Sequence, residues 1–395
     1  MKRKLLYVTG SRAEYGIMKR LLKSLKDDPD IDLSIIATGM HCDSEYGYTY
    51  KTIENDGFLI EKLIDLQLKN KTNADVLKTM SICQQAFGEH FQEKKYDAVI
   101  ILGDRYEIFS VAVAASMHNL PIIHLHGGEK TLGNYDEFIR HSITKMSRLH
   151  LVSTDEYRKR VIQLGEDPNC VFNVGALGAE NSLQLELPSK KELENKYGGL
   201  NRKYFVVVFH PETLSTLPVR EQYLELLEAL ASFSEEYDYI FIGSNADTGS
   251  EQIREMTLDF CRVYGCRYMI SVRPEEYLAL IKYSYGLIGN SSSGLIEVPS
   301  LKVPTINIGD RQKGRVRGDS VIDTICKKES IECAIAYSQQ KSFIERVKNA
   351  HNPYYNNDVM NSIVKIIKDF LTYEKLGYKD FYDVAYDYSL SLIHT

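Results

Sequence analysis

No segment of this chain stays apolar for the ~20 residues that a membrane-spanning helix needs. Positive charge is not in surplus either. The formal net charge is −6 over 395 residues and the pI is near 6.0, which leaves no electrostatic footprint for nucleic acid or an anionic membrane surface. Any anion the protein binds must therefore be met by local arginines and backbone dipoles. Cysteine is sparse. Seven cysteines, an odd number, are scattered without a close C-x-x-C pair, so no disulfide framework is written here, and free thiols in a reducing cytoplasm are expected. Cys261 and Cys266, with distant histidines such as His150 or His210, are poorly spaced for zinc, and neither a metal nor a cofactor is expected. Internal repeats and low-complexity tracts are also missing. The opening MKRKLLYVTG is basic at its start, but its apolar run is too short for a signal peptide and is expected to be a first strand.

What is present is a chain 44% hydrophobic and 26% charged, enough to fill two cores of ordinary size. Short β-branched runs alternate with stretches of helical period, the pattern of parallel sheets covered by helices on both faces. In the first half the expected strands are Lys4–Thr9, Asp32–Thr38, Ala98–Gly103, Pro121–Leu125, Leu149–Ser153 and Val171–Val174. Helices are expected at Tyr15–Lys26, Asp75–Glu93 and Ile108–Met117. After a polar stretch the strands resume at Tyr204–Phe209, Tyr239–Ile242, Arg267–Ser271, Gly286–Ile288 and Val303–Ile308. The reading is α/β: two Rossmann-like, doubly wound domains, residues 1–182 and 183–372, with a hinge near 179–194 and an irregular tail over 373–395. A helix over Val359–Leu371 shows an apolar stripe at Ile363, Ile366, Ile367 and Phe370. In two-domain folds of this shape such a helix often crosses back to the first domain, a point the sequence leaves open.

Ligands of doubly wound sheets sit beyond the carboxyl ends of the strands, and those positions are unusually polar here. The first strand runs into Gly10, Ser11, Arg12 and Glu14, and the Ala98–Gly103 strand into Asp104 and Arg105. The next ends in His124, His126, Gly127, Gly128 and Glu129, followed by Asp136, Arg140 and His141. The second half contributes His210 with Glu212, Asn245 with Asp247, and Ser271 with Val272. A lone Asp after a strand is an ordinary helix cap, but acids, bases and arginines at several strand ends together exceed what capping requires. His41 is a weaker candidate, and His90, His118 and His351 read as surface or core residues.

The densest segment is Gly286 to Arg317, where a strand runs into Ser291, Ser292, Ser293 and Gly294 and then into an expected helix. Small residues let a phosphate approach the backbone, and unpaired N–H groups at a helix start attract anions. Alone, such a turn is an ordinary junction with a serine cap. Glu297, suited to ribose hydroxyls, and Arg311, Arg315 and Arg317, suited to a diphosphate, shift the reading toward a nucleoside diphosphate.

The ordered runs TGSRAEYG, ATGMHCDSEYG, LGDRYE, HLHGGE, YDEFIRHSITKMS, FHPET, GSNADTGS, GNSSSGLIEVPS and INIGDRQKGR resemble the hydrolysing UDP-N-acetylglucosamine 2-epimerases of sialic acid biosynthesis, in detail the bacterial capsule type. The similarity covers residues 1 to about 370. It implies a GT-B fold, conversion of UDP-GlcNAc and water to N-acetylmannosamine and UDP, no nicotinamide and no metal, and a homodimer or homotetramer. It also implies anti elimination to 2-acetamidoglucal by a carboxylate base, followed by hydration, with Asp104, Glu129 and Asp136 as the carboxyl set. Asp104, Asp136 and His210 match the family's catalytic positions. Arg12, Arg105, Asn245, Ser291, Ser292, Glu297 and Arg311 match its nucleotide side, and Ser271 and Val272 suit backbone contacts to uracil. The pattern departs at one place: where relatives have a catalytic glutamate before the Gly-Gly pair, this chain has His126. Either His126 takes a proton-transfer role, or Glu129 moves into it, or that role is dispensable. A hydrolysing epimerase acting on UDP-diacetylbacillosamine would share every motif, and a GT-B glycosyltransferase would need an acceptor pocket that nothing marks.

Overall fold

The computed structural model describes residues 2–69, 71–198, 200–212, 214–243, 248–373 and 378–385. Seven strands form the first sheet: β1 Arg3–Thr9, β2 Ile31–Thr38, β3 Ile60–Ile64, β4 Ala98–Leu102, β5 Ile122–Leu125, β6 Leu149–Val152 and β7 Val171–Asn173. All pairings are parallel, in the order β3-β2-β1-β4-β5-β6-β7. Six more form the second: β8 Tyr204–Val208, β9 Asp238–Ile242, β10 Arg267–Met269, β11 Leu287–Gly289, β12 Thr305–Ile308 and β13 Val321–Thr324, ordered β10-β9-β8-β11-β12-β13 and again parallel. In each sheet the order reverses beside the first strand, the point where an open α/β sheet leaves a crevice for a ligand.

Alternation of side chains splits the first sheet's core in two. Leu5, Tyr7 and Ile100 face one layer, and Leu6, Val8, Val99 and Ile101 face the other, under the helices Asn73–Glu93 and Tyr106–Met117. The long helix Val359–Tyr373 completes the former layer: Val359, Ile363, Ile367 and Leu371 are buried among Leu5, Tyr7 and Met18, and Lys368 pairs with Asp28 at 2.9 Å. The chain thus leaves the second sheet and packs back on the first.

The expected strands are all present, shortened by one or two residues at several ends and extended by one at others. Two edge strands, β3 and β13, are additions to them. Residues 378–385 contain no helix or strand, and they dock on the first domain. Lys379 pairs with Glu166 at 2.7 Å and donates to the Lys145 carbonyl at 2.6 Å, while the Phe381 ring covers Gly165.

Candidate functional site

The carboxyl ends of the two sheets face each other, and between them lie two adjoining cavities of about 160 and 180 Å3. Ser292, Ser293, Glu297 and Arg311 line both, so they form the junction. One cavity is walled by first-domain acids and bases. The other is walled by Val208, Ile242, Val272, Pro274, Tyr277 and Leu278, a largely apolar slot.

The first-domain wall is organised by Arg140, on the helix Asp136–Met146. Its guanidinium is fully buried and pairs with Asp104, just beyond β4. It also donates to the Glu129 carbonyl at 2.8 Å, the Thr131 hydroxyl at 2.9 Å and Glu137 at 3.3 Å. Arg140 is therefore a spine holding Asp104 in place. Asp136 begins the same helix, with the Asn134 amide donating to it at 3.0 Å, and Asp104 and Asp136 line one cavity. Burial works against the Glu137 carboxylate, yet bonds from His141 and the Thr131 N–H bring it down to about 2.

Glu129 is buried to 1% exposure. Burial alone would raise its pKa. Arg315, 2.6 Å away on the second domain, together with His126 and Arg140, reverses that and holds it well below the usual carboxylate range. His126 Nδ1 lies 2.9 Å from Glu129 Oε1, and because an ionised carboxylate only accepts, the imidazole donates. Glu14 is the opposite case. Burial, then the nearby Glu107, raise its carboxyl to about 8 against the pull of Arg105 and of the Gly10 and Ser11 N–H groups. Those two N–H groups bind Oε2 at 2.9 Å each, and Oε1 has no partner among the described residues.

On the second domain, Asn290 clamps the backbone of His210 in both directions, at 2.7 and 2.8 Å. Its carbonyl accepts from Arg311 at 3.1 Å and from Gln312 at 2.8 Å. The strand can turn there because Gly289 takes φ +139°, where a Cβ would fall 1.9 Å from the Val208 carbonyl. Burial, followed by Arg311 and Arg105, pushes His210 well below its ordinary value, so it stands as a neutral imidazole beside the junction. Arg311 is nearly buried, and its Nε has no partner among the described residues. Arg12 reaches over from the first domain to the Val272 carbonyl; burial lowers its guanidinium to about 10.

Several expectations change. The helix after Ser292 is a single turn, Ser293–Ile296, followed by a 3-10 turn at Val298–Leu301, so it is too short to carry a macrodipole. Ser292 remains at the junction and Ser291 lines the apolar slot beside it. Gly294 is turned away: a Cβ there would meet Thr305 at 2.5 Å, and its carbonyl accepts from the Thr305 hydroxyl at 2.8 Å. The Gly10 amide is occupied by Glu14, and its α-carbon abuts Glu107. Ser271 is exposed outside the slot that Val272 lines. Arg315 and Arg317 do not join Arg311: one crosses to Glu129, the other pairs with Asp323 at 2.6 Å. Arg105 sits at the chemical wall with its Nε on Glu107 at 2.5 Å. Glu297 is half-buried and lines both cavities, close against Gly178. His41 is buried between Thr9 and Thr49 hydroxyls, and burial lowers it to about 4, while His124 is lowered to about 3 with Nε2 on the Gly103 carbonyl. Both are structural. Asn245 and Asp247 lie outside the described residues. Thr131, Gln312, Pro274 and Tyr277 also line the cavities, and sequence reasoning misses them. The last two follow a strand end, the signal that could have found them.

Two Rossmann-like parallel-sheet domains facing across such a cleft define the GT-B class. Among solved structures, UDP-GlcNAc 2-epimerase from Neisseria meningitidis bound to UDP-GlcNAc superposes with a TM-score of 0.76 at 17% identity, covering 93% of this chain and all of that one. A family model described as UDP-N-acetylglucosamine 2-epimerase matches residues 23–368. "Polysialic acid biosynthesis protein P7" of Escherichia coli is 61% identical over 382 residues, 97% of this chain and 98% of that protein. The hydrolysing GDP/UDP-N,N'-diacetylbacillosamine 2-epimerase of Campylobacter jejuni is 38% identical over 97% of this chain and all of its own length. The chain belongs to the UDP-N-acetylglucosamine 2-epimerase family.

Proposed function

We propose that this protein is a hydrolysing UDP-GlcNAc 2-epimerase, converting UDP-GlcNAc and water to N-acetylmannosamine and UDP in the cytoplasm, as a supply step for sialic acid in surface glycans. The observation that carries the reading is the pairing of an apolar slot with a cavity rich in proton-transfer groups, joined by serines and a buried arginine. In this reading uracil takes the slot lined by Tyr277 and Val272, the diphosphate is met by Ser291, Ser292, His210 and Arg311, and the sugar is turned toward Asp104, Asp136 and His126, the residues that line the two cavities.

Inverting C2 requires loss of a weakly acidic proton. Elimination makes this feasible: a base of the sugar-side cavity takes the C2 proton, the C2–H electrons form the C1–C2 double bond, and the C1–O electron pair leaves on the diphosphate. Arg311 and the neutral His210 stabilise the departing charge. Water then adds at C1 while C2 is protonated from the opposite face. Asp104 and Asp136 serve this second step, one positioning water and one delivering the proton. The name of the Escherichia coli relative supports a place in sialic acid supply, and that of the Campylobacter jejuni relative supports hydrolysis over retention of UDP, with UDP-diacetylbacillosamine as a second substrate reading. Anion-exchange chromatography of reactions with each UDP-sugar tests both. Equimolar UDP and free sugar from UDP-GlcNAc supports the proposal, and a product still carrying UDP contradicts it.

A further inference from the structure

His126 stands where the backbone is under constraint. It takes φ +65°, a left-handed conformation uncommon outside glycine, and its N–H is pinned to the Leu151 carbonyl at 3.0 Å. Gly128 repeats the left-handed turn at φ +78°, pressed so closely on the Tyr157 carbonyl that a Cβ would lie 2.6 Å from it. This turn beyond β5 brings the side chains of His126 and Glu129 to one side. Glu129 has no capacity to spare: Oε1 accepts from His126 and from the Ser153 hydroxyl at 3.0 Å, and Oε2 is taken by Arg315. A carboxylate so enclosed does not carry protons to and from a substrate. His126 Nε2 has no hydrogen-bond partner among the described residues, and the ring lines the sugar-side cavity.

We propose that His126 is a proton-transfer residue of this cleft, that Glu129 is its positioning partner, and that Arg315 completes the pair only when the two domains are closed. The proposal rests on reading the cleft as a UDP-sugar site. His126 Nε2 accepts the C2 proton as the C1–O bond breaks and its electron pair leaves on the diphosphate. Glu129 fixes the Nδ1–H tautomer and stabilises the imidazolium that forms, the role of an orienting carboxylate beside a catalytic histidine. The charged groups sharing the cavity with the ring are Glu129 from its own turn, Glu297, Arg311 and Arg315 from the second domain, and Glu14, Asp104, Arg105, Asp136 and Arg140 from the first. Arg315 belongs to the segment between β12 and β13, so its bond to Glu129 spans the cleft. Its Nε and Nη1 have no other partner among the described residues.

Nitrogen-15 NMR of histidine-labelled protein saturated with UDP tests this, with His126→Asn assigning the signal. Wild type should show the Nδ1–H tautomer. In Glu129→Gln the ring loses the carboxylate that fixes Nδ1–H, so the Nε2–H tautomer should appear. In Arg315→Met that carboxylate stays, so Nδ1–H should persist while turnover falls. His126→Asn should lower turnover by about 10²-fold or more with little change in KM. An Nε2–H tautomer in wild type, or a tautomer ratio unmoved by Glu129→Gln, overturns the proposal even if the enzyme epimerises UDP-GlcNAc. Absence of turnover in wild type with the NMR shifts present would instead sink the functional reading alone.

Discussion

Gly133 offers a steric test of how closely the two domains must meet. It lies in the loop leading to Asp136, and its backbone is not in the left-handed region, so alanine is conformationally acceptable there. A Cβ would nevertheless fall 2.8 Å from the Asp310 carbonyl carbon and oxygen and 3.0 Å from the Arg311 α-carbon. Those neighbours are backbone and have no rotamer to change, so Gly133→Ala must push the loop back until the separation reaches at least 3.4 Å. Two interdomain hydrogen bonds cannot survive that retreat: Leu132 N–H to the Lys313 carbonyl at 3.2 Å and Leu214 N–H to the Gly133 carbonyl at 3.1 Å. At about 1 kcal/mol each, the closed state loses roughly 2 kcal/mol, or about 30-fold in kcat/KM. Of the second-domain groups assigned to UDP, Arg311 is crowded at its α-carbon while Ser291, Ser292 and His210 are not, so calorimetric UDP affinity should fall by less than turnover does, no more than about tenfold or roughly 1.4 kcal/mol. Gly88→Ala is the control. It lies inside the helix Asn73–Glu93, where an added Cβ would meet nothing within 4 Å, and should stabilise by about 0.5–1 kcal/mol without touching turnover. Full activity in Gly133→Ala would refute the closed geometry.

Other consequences follow from the same contacts. Asp104→Asn and Asp136→Asn should each abolish product while UDP affinity stays near wild type, because neither lines the slot assigned to the base. Full activity in either would remove it from the chemistry. Glu14 keeps its proton up to about 8 in the folded protein, against 4.5 as reference, so folding takes up a proton between those values. Its stabilising contribution is complete below about pH 4.5 and lost as pH rises through about 8. Glu14→Gln, which preserves an oxygen for the Gly10 and Ser11 N–H groups, should flatten that part of the urea-unfolding stability profile, and an unchanged slope would contradict the assignment. Lys379→Ala removes an ion pair to Glu166 and a cation from the carbonyl end of the Asp136–Met146 helix, and should lower stability by about 1 kcal/mol in urea unfolding.

What could be read in advance follows burial. The central strands β1, β4 and β8 are buried along all or most of their length and appear as continuous apolar runs. The edge strands β3, IEKLI, largely exposed, and β13, VIDT, half-buried, show neither a run nor a regular alternation. In the site, strand ends located Asp104, His126, His210 and the serine turn, because the topology alone puts them at the cleft. Side-chain direction was not legible. Arg311, Arg315 and Arg317 lie within one short segment, yet one faces the junction, one crosses to Glu129 and one turns outward to Asp323. Nor does any local pattern hint that Glu129 is enclosed, since that depends on an arginine far along the chain, reached only across the closed cleft.

Proton NMR of the purified protein with UDP-GlcNAc in D2O is the most direct test of the chemistry. Free N-acetylmannosamine carrying deuterium at C2, appearing in step with UDP, is the expected result. Product that retains the C2 proton, or a UDP-linked sugar in place of the free one, would contradict elimination followed by hydration.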